Sequence, residues 1–303
     1  MPETADPLVN AFESLRESPP APGRPVLLAG PTASGKSALA LDLAARQNRV
    51  IINADALQVY DMWQILSARP RGEDLERVPH LLYGHVSRHQ DWSVGHWLRA
   101  VADLLQQYRD PIIVGGTGLY FRALTEGLVE IPPIPAALRA EGNRRRMQSG
   151  IDALIDELDP ETRATLDLAN PARVQRAWEV LQATGKGLAR WHAQTPAPIL
   201  PASQTSAFVL RPDVAWLHAR IKSRFEAMVA QGAIEEARAA LPVWDSRAPW
   251  AKAIGAPELI AYLKGHISLA EAITAATLAT RQYAKRQRTW FRNRMSAWQD
   301  LGS

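Results

Sequence analysis

Short apolar runs alternate with amphipathic stretches over the first third of the chain. Residues 25–30 (PVLLAG) form an apolar run closed by a glycine turn, the pattern of a buried parallel strand. Residues 37–47 (SALALDLAARQ) are rich in Ala and Leu without a breaker, which predicts a helix. A second strand is expected at 50–53 (VIIN). The spacing of Leu98, Val101, Leu104 and Leu105 predicts a helix over 97–108. A third strand, 111–114 (PIIV), is stopped by Gly115 and Gly116. Strands alternating with helices imply right-handed crossovers and a parallel sheet covered on both faces.

The pattern then changes. The stretch IPPIP from Ile131 acts as a proline hinge, residues 136–195 carry helical patterns with few β-branched runs, and TPAPILPAS at 195–203 is a second linker. AFVL at 207–210 predicts a return to the sheet. After Asp213 the pattern is helical to the end, with a break at 249–257. The expected organisation is a flexible arm at 1–23, the first part of an α/β core at 24–130, an inserted helical lobe at 131–205, and completion of the core with helices at 206–303.

Composition narrows the chemistry. The chain of 303 residues has no cysteine, which excludes disulfides, thiolate zinc sites and cysteine nucleophiles. The first residues carry Asp6, Glu13 and Glu17 among prolines and lack an apolar run long enough for a leader or a membrane span, so a cytoplasmic location is expected. With 35 Lys and Arg against 31 Asp and Glu, the net charge of +4 matters only where it is concentrated.

Gly30, Pro31, Thr32, Ala33, Ser34, Gly35, Lys36 and Ser37 match G-x-x-x-x-G-K-[ST] between an expected strand and an expected helix. Glycines let backbone N–H groups face phosphates, and the helix N-terminus adds favourable partial charge. Lys36 would neutralise a phosphate and the Ser37 hydroxyl would ligand Mg²⁺. The loop specifies a polyphosphate, not which one. No carboxylate follows the third strand, where many nucleotide hydrolases hold the metal's water shell. The expected fold class is α/β, a P-loop NTPase-like parallel sheet with an inserted helical lobe and a helical C-terminal region.

Asp55 and Thr117 follow the second and third strands, at the sheet edge where open α/β sheets bind ligands. Two readings stand for each. Asp55 is a proton acceptor or the cap of a following helix; Thr117 hydrogen-bonds a substrate or satisfies a glycine turn. Farther on, no acidic residue falls between Ala272 and Gln299, whereas Arg281, Lys285, Arg286, Arg288, Arg292 and Arg294 fall there. On a helix Arg281, Lys285, Arg288 and Arg292 share one face, leaving Tyr283, Trp290 and Phe291 to pack elsewhere. Solvated faces normally mix signs, so this stripe reads as the footprint of nucleic acid. Arg139 and the run from Arg144 to Arg146 add a weaker basic patch to the lobe. His85 and His89 have the spacing of one helix face but lack a third metal ligand. The ten tryptophans read as packing residues before base-stacking ones.

In order along the chain, GPTASGKS at Gly30, NADALQVY at Asn53, SARP at Ser67, PHLL at Pro79, GGTGLYFRAL at Gly115 and ATRQYAKRQRTWFR at Ala279 resemble the tRNA dimethylallyltransferases, also called tRNA isopentenyltransferases. The resemblance runs from about Val26 to Trp298. It implies transfer of a dimethylallyl group from dimethylallyl pyrophosphate to N6 of the adenosine on the 3′ side of the tRNA anticodon. It further implies that Asp55 is the general base, that Thr117 lies near the reacting centre, that Lys36, Ser37 and Mg²⁺ hold the pyrophosphate, and that Arg224 contacts it. The tRNA anticodon stem-loop would be touched by Asp55, Ala56, Leu57, Gln58, Thr117, Arg139, Ala172, Arg173, Val174, Gln175 and Arg176. From the C-terminal segment it would be touched by Lys285, Arg286, Gln287, Arg288, Thr289, Trp290, Phe291 and Arg292, with the lobe clamping the loop. A monomer without membrane association is expected. Two departures stand out: Ala56 replaces a common serine, and KAIGAP from Lys252 replaces a segment that usually carries a tyrosine and an arginine, leaving Lys252 as a candidate contact. A P-loop kinase and a non-catalytic nucleic-acid-binding P-loop protein are the alternatives from other classes.

Overall fold

The computed structural model describes residues 6–302. These divide into two compact units, Met1–Thr125 with Leu200–Ser303, and Glu126–Ile199. The second unit therefore starts before the proline hinge and ends before the second linker is complete, a few residues earlier at each end than the sequence suggests.

The first unit is built on strands β1 (Val26–Ala29), β2 (Ile51–Asn53), β3 (His80–Leu81), β4 (Ile112–Gly115), β5 (Ser206–Leu210) and β6 (Gln299–Leu301). They form one sheet in the order β3-β2-β4-β1-β5-β6, and every pairing is parallel. Its helices in the first half are α1 (Pro7–Glu17), α2 (Lys36–Gln47), α3 (Glu73–Arg77), α4 (Val94–Gln107) and α5 (Gly118–Glu126). Helices α6 (Ala136–Ser149), α7 (Asp152–Ile155), α8 (Pro160–Thr165), α9 (Pro171–Thr184) and α10 (Leu188–His192) make up the second unit. The first unit is then completed by α11 (Val214–Ala230), α12 (Ala233–Ala240), α13 (Ala256–Leu263) and α14 (Leu269–Arg294).

Alternation along β1 sorts the core. Val26 and Leu28 face a cluster with Leu39 and Leu43 of α2, while Leu27 and Ala29 face Trp97, Phe121 and Phe291 on the opposite side. Each fully buried leucine of α2 contributes about 1.5–3 kcal/mol. A third cluster lies among the C-terminal helices, where Trp63, Trp244 and Trp250 pack against one another at centroid distances of 5.6–6.5 Å. In the second unit, Leu154, Val174, Ala177, Trp178 and Val180 form a separate core.

Three expectations are corrected. The N-terminal segment carries α1, capped by Asp6 with Pro7 at its first position, and Ala11 and Leu15, four residues apart, bury against the α2 side of the sheet. Residues 1–5 lie outside the described residues. The C-terminus returns to the sheet as β6 and does not stay helical. His85 and His89 are not helical: His85 packs edge-on against Trp92 at 4.7 Å, and His89 accepts a hydrogen bond from Arg88 at 2.8 Å.

Candidate active site

The switch in strand order places the carboxyl ends of β1, β2 and β4 side by side, and each end carries one part of a site. After β1 the phosphate loop turns through Ala33 (φ 64°) and Gly35 (φ 87°), the latter opening α2. A side chain on Gly30 would meet Ser34 Oγ at 2.8 Å, so the loop closes tightly. Burial brings the Lys36 ammonium down to about 8; nearby Asp55 opposes that shift and Arg224 adds to it. Ser37 is exposed at the start of α2.

After β2, Asn53 organises the turn that presents Asp55. Its side-chain amide donates to the carbonyls of Asp55 and Leu82 at 3.0 Å each, and its Oδ1 accepts the Asp55 N–H at 2.9 Å. Asp55 Oδ1 accepts the Leu57 N–H at 2.9 Å, which fixes the carboxylate in a tight turn. No helix follows, so the helix-cap reading of Asp55 is corrected to a turn. Oδ2 faces the glycine loop: it would stand 3.3 Å from a Cβ on Gly116.

After β4 the glycines make room. A Cβ on Gly115 would meet the Ala54 carbonyl oxygen at 2.1 Å, and one on Gly118 would meet the Trp290 indole at 2.0 Å. Thr117 accepts the Ala56 N–H at 2.9 Å, joining the β2 and β4 loops. Burial raises the Tyr283 hydroxyl, and Asp55 raises it further.

Arg224 projects from α11, depressed by burial against the opposing influence of Asp55. Asp55, Lys36 and Arg224, brought from three separate elements, thus act on one another electrostatically. Asp55 and Arg224 border a pocket with an empty volume of about 600 Å³. Its polar rim includes Thr32, Asp55, Arg224 and Tyr283, and its wall is apolar, with Leu57, Leu66, Ile221, Phe225, Met228 and Ile254. The wall and Tyr283 were not anticipated: Tyr283 was expected only to pack off the charged face of its helix, and Ile254 lies in the departing KAIGAP segment, whose Lys252 is exposed. A side chain on Gly255 (φ 97°) would meet Phe225 at 2.5 Å.

The residues expected to touch RNA divide by burial. Lys285, Arg286, Thr289 and Arg292 are exposed on α14 and Arg288 is half-buried. Lys285, Arg288 and Arg292 line a hollow with an empty volume of about 730 Å³ together with Arg211, which sequence reasoning missed because it follows a strand outside the stripe. Gln287 and Phe291 are corrected: both are buried on the inner side of the helix. In the second unit Val174 and Gln175 are likewise corrected. Val174 is core, and Gln175 is buried, donating to Asn143 and Glu179 at 3.0 Å each. Ala172 and Arg173 are exposed, though Arg173 pairs with Asp167 at 3.3 Å. Arg176 is depressed by burial, raised by Glu179 and lowered by Arg139, so α6 and α9 bring these two arginines within electrostatic reach. Arg144 and Arg145 are paired with Glu141 and Glu157.

The profile of a family described as IPP transferase matches residues 58–294, and one described as isopentenyl transferase matches residues 24–84. The chain is 61% identical over 278 residues to a tRNA dimethylallyltransferase of Cereibacter sphaeroides strain KD131, covering 92% of this chain and 88% of that protein. It is 62% identical over 281 residues to a tRNA dimethylallyltransferase of Dinoroseobacter shibae, covering 91% and 93%. Among solved structures, a tRNA isopentenylpyrophosphate transferase from Bacillus halodurans aligns with a TM-score of 0.64 at 31% identity, over 92% of this chain and 90% of that one. A eukaryotic dimethylallyltransferase acting on tRNA shares the fold at a TM-score of 0.71 and 24% identity, over 88% and 69%. With the phosphate loop, the Asp55 turn and the glycine loop assembled at one sheet edge, this chain belongs to the IPP transferase family.

Proposed function

We propose that the protein transfers a dimethylallyl group from dimethylallyl pyrophosphate to N6 of the adenosine 3′ of the anticodon in tRNA, releasing pyrophosphate. The observation that carries this reading is the apolar pocket lined by Asp55, Arg224 and Thr32 of the phosphate loop, with Lys36 within electrostatic reach of both charged groups. A five-carbon chain fits its Leu57, Ile221, Phe225 and Met228 wall, while the phosphate loop takes the diphosphate.

The N6 lone pair forms the new bond to the allylic carbon, and the carbon–oxygen bond breaks with its electron pair leaving on the diphosphate. An exocyclic amine is a weak nucleophile, so charge separation in the transition state sets the barrier. Lys36 and Arg224 offset the growing charge on the departing oxygen. Asp55 Oδ2 takes the N6 proton, and its other oxygen stays anchored on the Leu57 N–H. The exposed Ser37 hydroxyl fits Mg²⁺, a cation that usually keeps its water and takes few protein ligands beside substrate phosphates. Mg²⁺ held there would supply further neutralisation of the diphosphate. The target base must leave its stack to reach Asp55. Lys285, Arg288 and Arg292 on α14 suit the RNA backbone, as do Arg139 and Arg176 within the second unit.

The test is incubation with Mg²⁺, unmodified tRNA and either dimethylallyl pyrophosphate or ATP, followed by nucleoside analysis. Prenylated adenosine with the first substrate is expected. ATP-dependent phosphorylation instead would make the protein a kinase, and RNA binding without pyrophosphate release would make it a binding protein.

A further inference from the structure

The inner side of α14 reaches both loops that flank the reacting centre. Gln287, 5% exposed, accepts the Thr32 N–H through Oε1 at 2.9 Å and donates from Nε2 to the Gly116 carbonyl at 2.8 Å. Its fit is close, because a Cβ on Gly116 would fall 2.2 Å from Nε2. One neutral amide thus spans the phosphate loop and the loop that bears Thr117, across 255 positions of sequence. The amide is suited to this as no other side chain of its size is, since it offers an acceptor to an N–H and a donor to a carbonyl from one rigid plane.

We propose that Gln287 is a positioning residue: it sets the spacing between the diphosphate cradle and the Asp55–Thr117 pair, and so the distance between leaving group and proton acceptor. The chain of contacts is continuous. Gln287 fixes Gly116, Thr117 follows and accepts the Ala56 N–H, and Asp55 precedes Ala56 in the turn tied down by Asn53. Thr32 also lines the prenyl pocket, so the same bridge fixes one side of its rim. Arg286 and Arg288, the immediate neighbours, and Lys285 lie on the outer side of the same helix, so Gln287 also couples the charged face to the reacting centre.

This inference rests on the prenyl-transfer reading, and the experiment keeps the two apart. Gln287→Met preserves length and removes both hydrogen bonds; Gln287→Glu keeps an acceptor for Thr32 but sets a carboxylate against the Gly116 carbonyl. For each, kcat, KM for dimethylallyl pyrophosphate, Kd for tRNA, Kd for inorganic pyrophosphate on the RNA-free protein, and Tm are measured. Expected are a loss of about tenfold or more in kcat/KM and weaker pyrophosphate binding, with tRNA Kd within about twofold of wild type. Pyrophosphate affinity is the readout that keeps the test decisive if Tm also falls, since a global loss of structure would weaken both ligands together. Variants that turn over and bind pyrophosphate like wild type overturn the bridge, as does a parallel loss of tRNA affinity. An inactive wild-type protein would instead defeat the prenyl-transfer reading.

Discussion

At the scale of single residues, Asp55 has two oxygens with different duties. Oδ1 accepts the Leu57 N–H, while Oδ2 faces Gly116, where the proposed transfer has it accept the proton. Asp55→Ala is expected to lower kcat by about 10²–10⁴-fold, the range for losing a general base, and to leave tRNA affinity within a few-fold. Single-turnover rates and filter binding on the same preparation check this, and a large loss of RNA binding would refute the assignment. Asp55 and Thr117 were legible in the sequence because each sits within three residues of a strand end, and parallel sheets gather those ends, while Lys36 was legible from the phosphate-loop motif. Gln287 and Tyr283 were not. Their roles come from how α14 docks against the loops, a contact between positions far apart in the chain that no local pattern encodes. The apolar wall was hidden for the same reason: Leu57 comes from the turn after β2, Ile221 and Phe225 from α11 and Ile254 from the loop before α13, and each alone looks like ordinary core.

At the scale of elements, α14 does the most. A capping box opens it, with Ser268 Oγ accepting the Glu271 N–H and Glu271 accepting the Ser268 N–H at 2.7 Å; together these are worth about 1 kcal/mol. Its inner side buries Ala284, Gln287 and Phe291, and its outer side carries the basic residues. Replacing Lys285 and Arg288 by Ala is expected to weaken tRNA binding and to flatten the slope of log affinity against log salt by roughly 1.5, for two phosphates released. Titrations at several ionic strengths measure the slope, and an unchanged slope would mean that the stripe faces only solvent. The more apolar elements announced themselves, VLLA as an uninterrupted buried run and α4 by its helical spacing. The short or polar ones did not. β3 is two residues long and β6 reads QDL, so neither offers a window in which alternation can be seen. The α1 helix was obscured by flanking prolines, although Asp6 followed by Pro7 is itself a start signal.

At the scale of the molecule, a parallel sheet brings together groups from distant segments, while the unit Glu126–Ile199 keeps its own core around Trp178. The modest net charge of +4 gains meaning from where it lies, on one helix and beside Arg211. Among the described residues no helix is long and apolar enough to cross a membrane. The central claim is that a diphosphate on this phosphate loop departs from carbon. The most direct measurement uses dimethylallyl pyrophosphate labelled with heavy oxygen only at the atom bridging carbon and phosphorus, turned over with unmodified tRNA, and mass analysis of the products. All of the label is expected in the released pyrophosphate, matched by prenylated adenosine. Label retained in a five-carbon alcohol, with the RNA unchanged, would mean that phosphorus is attacked and would contradict the claim.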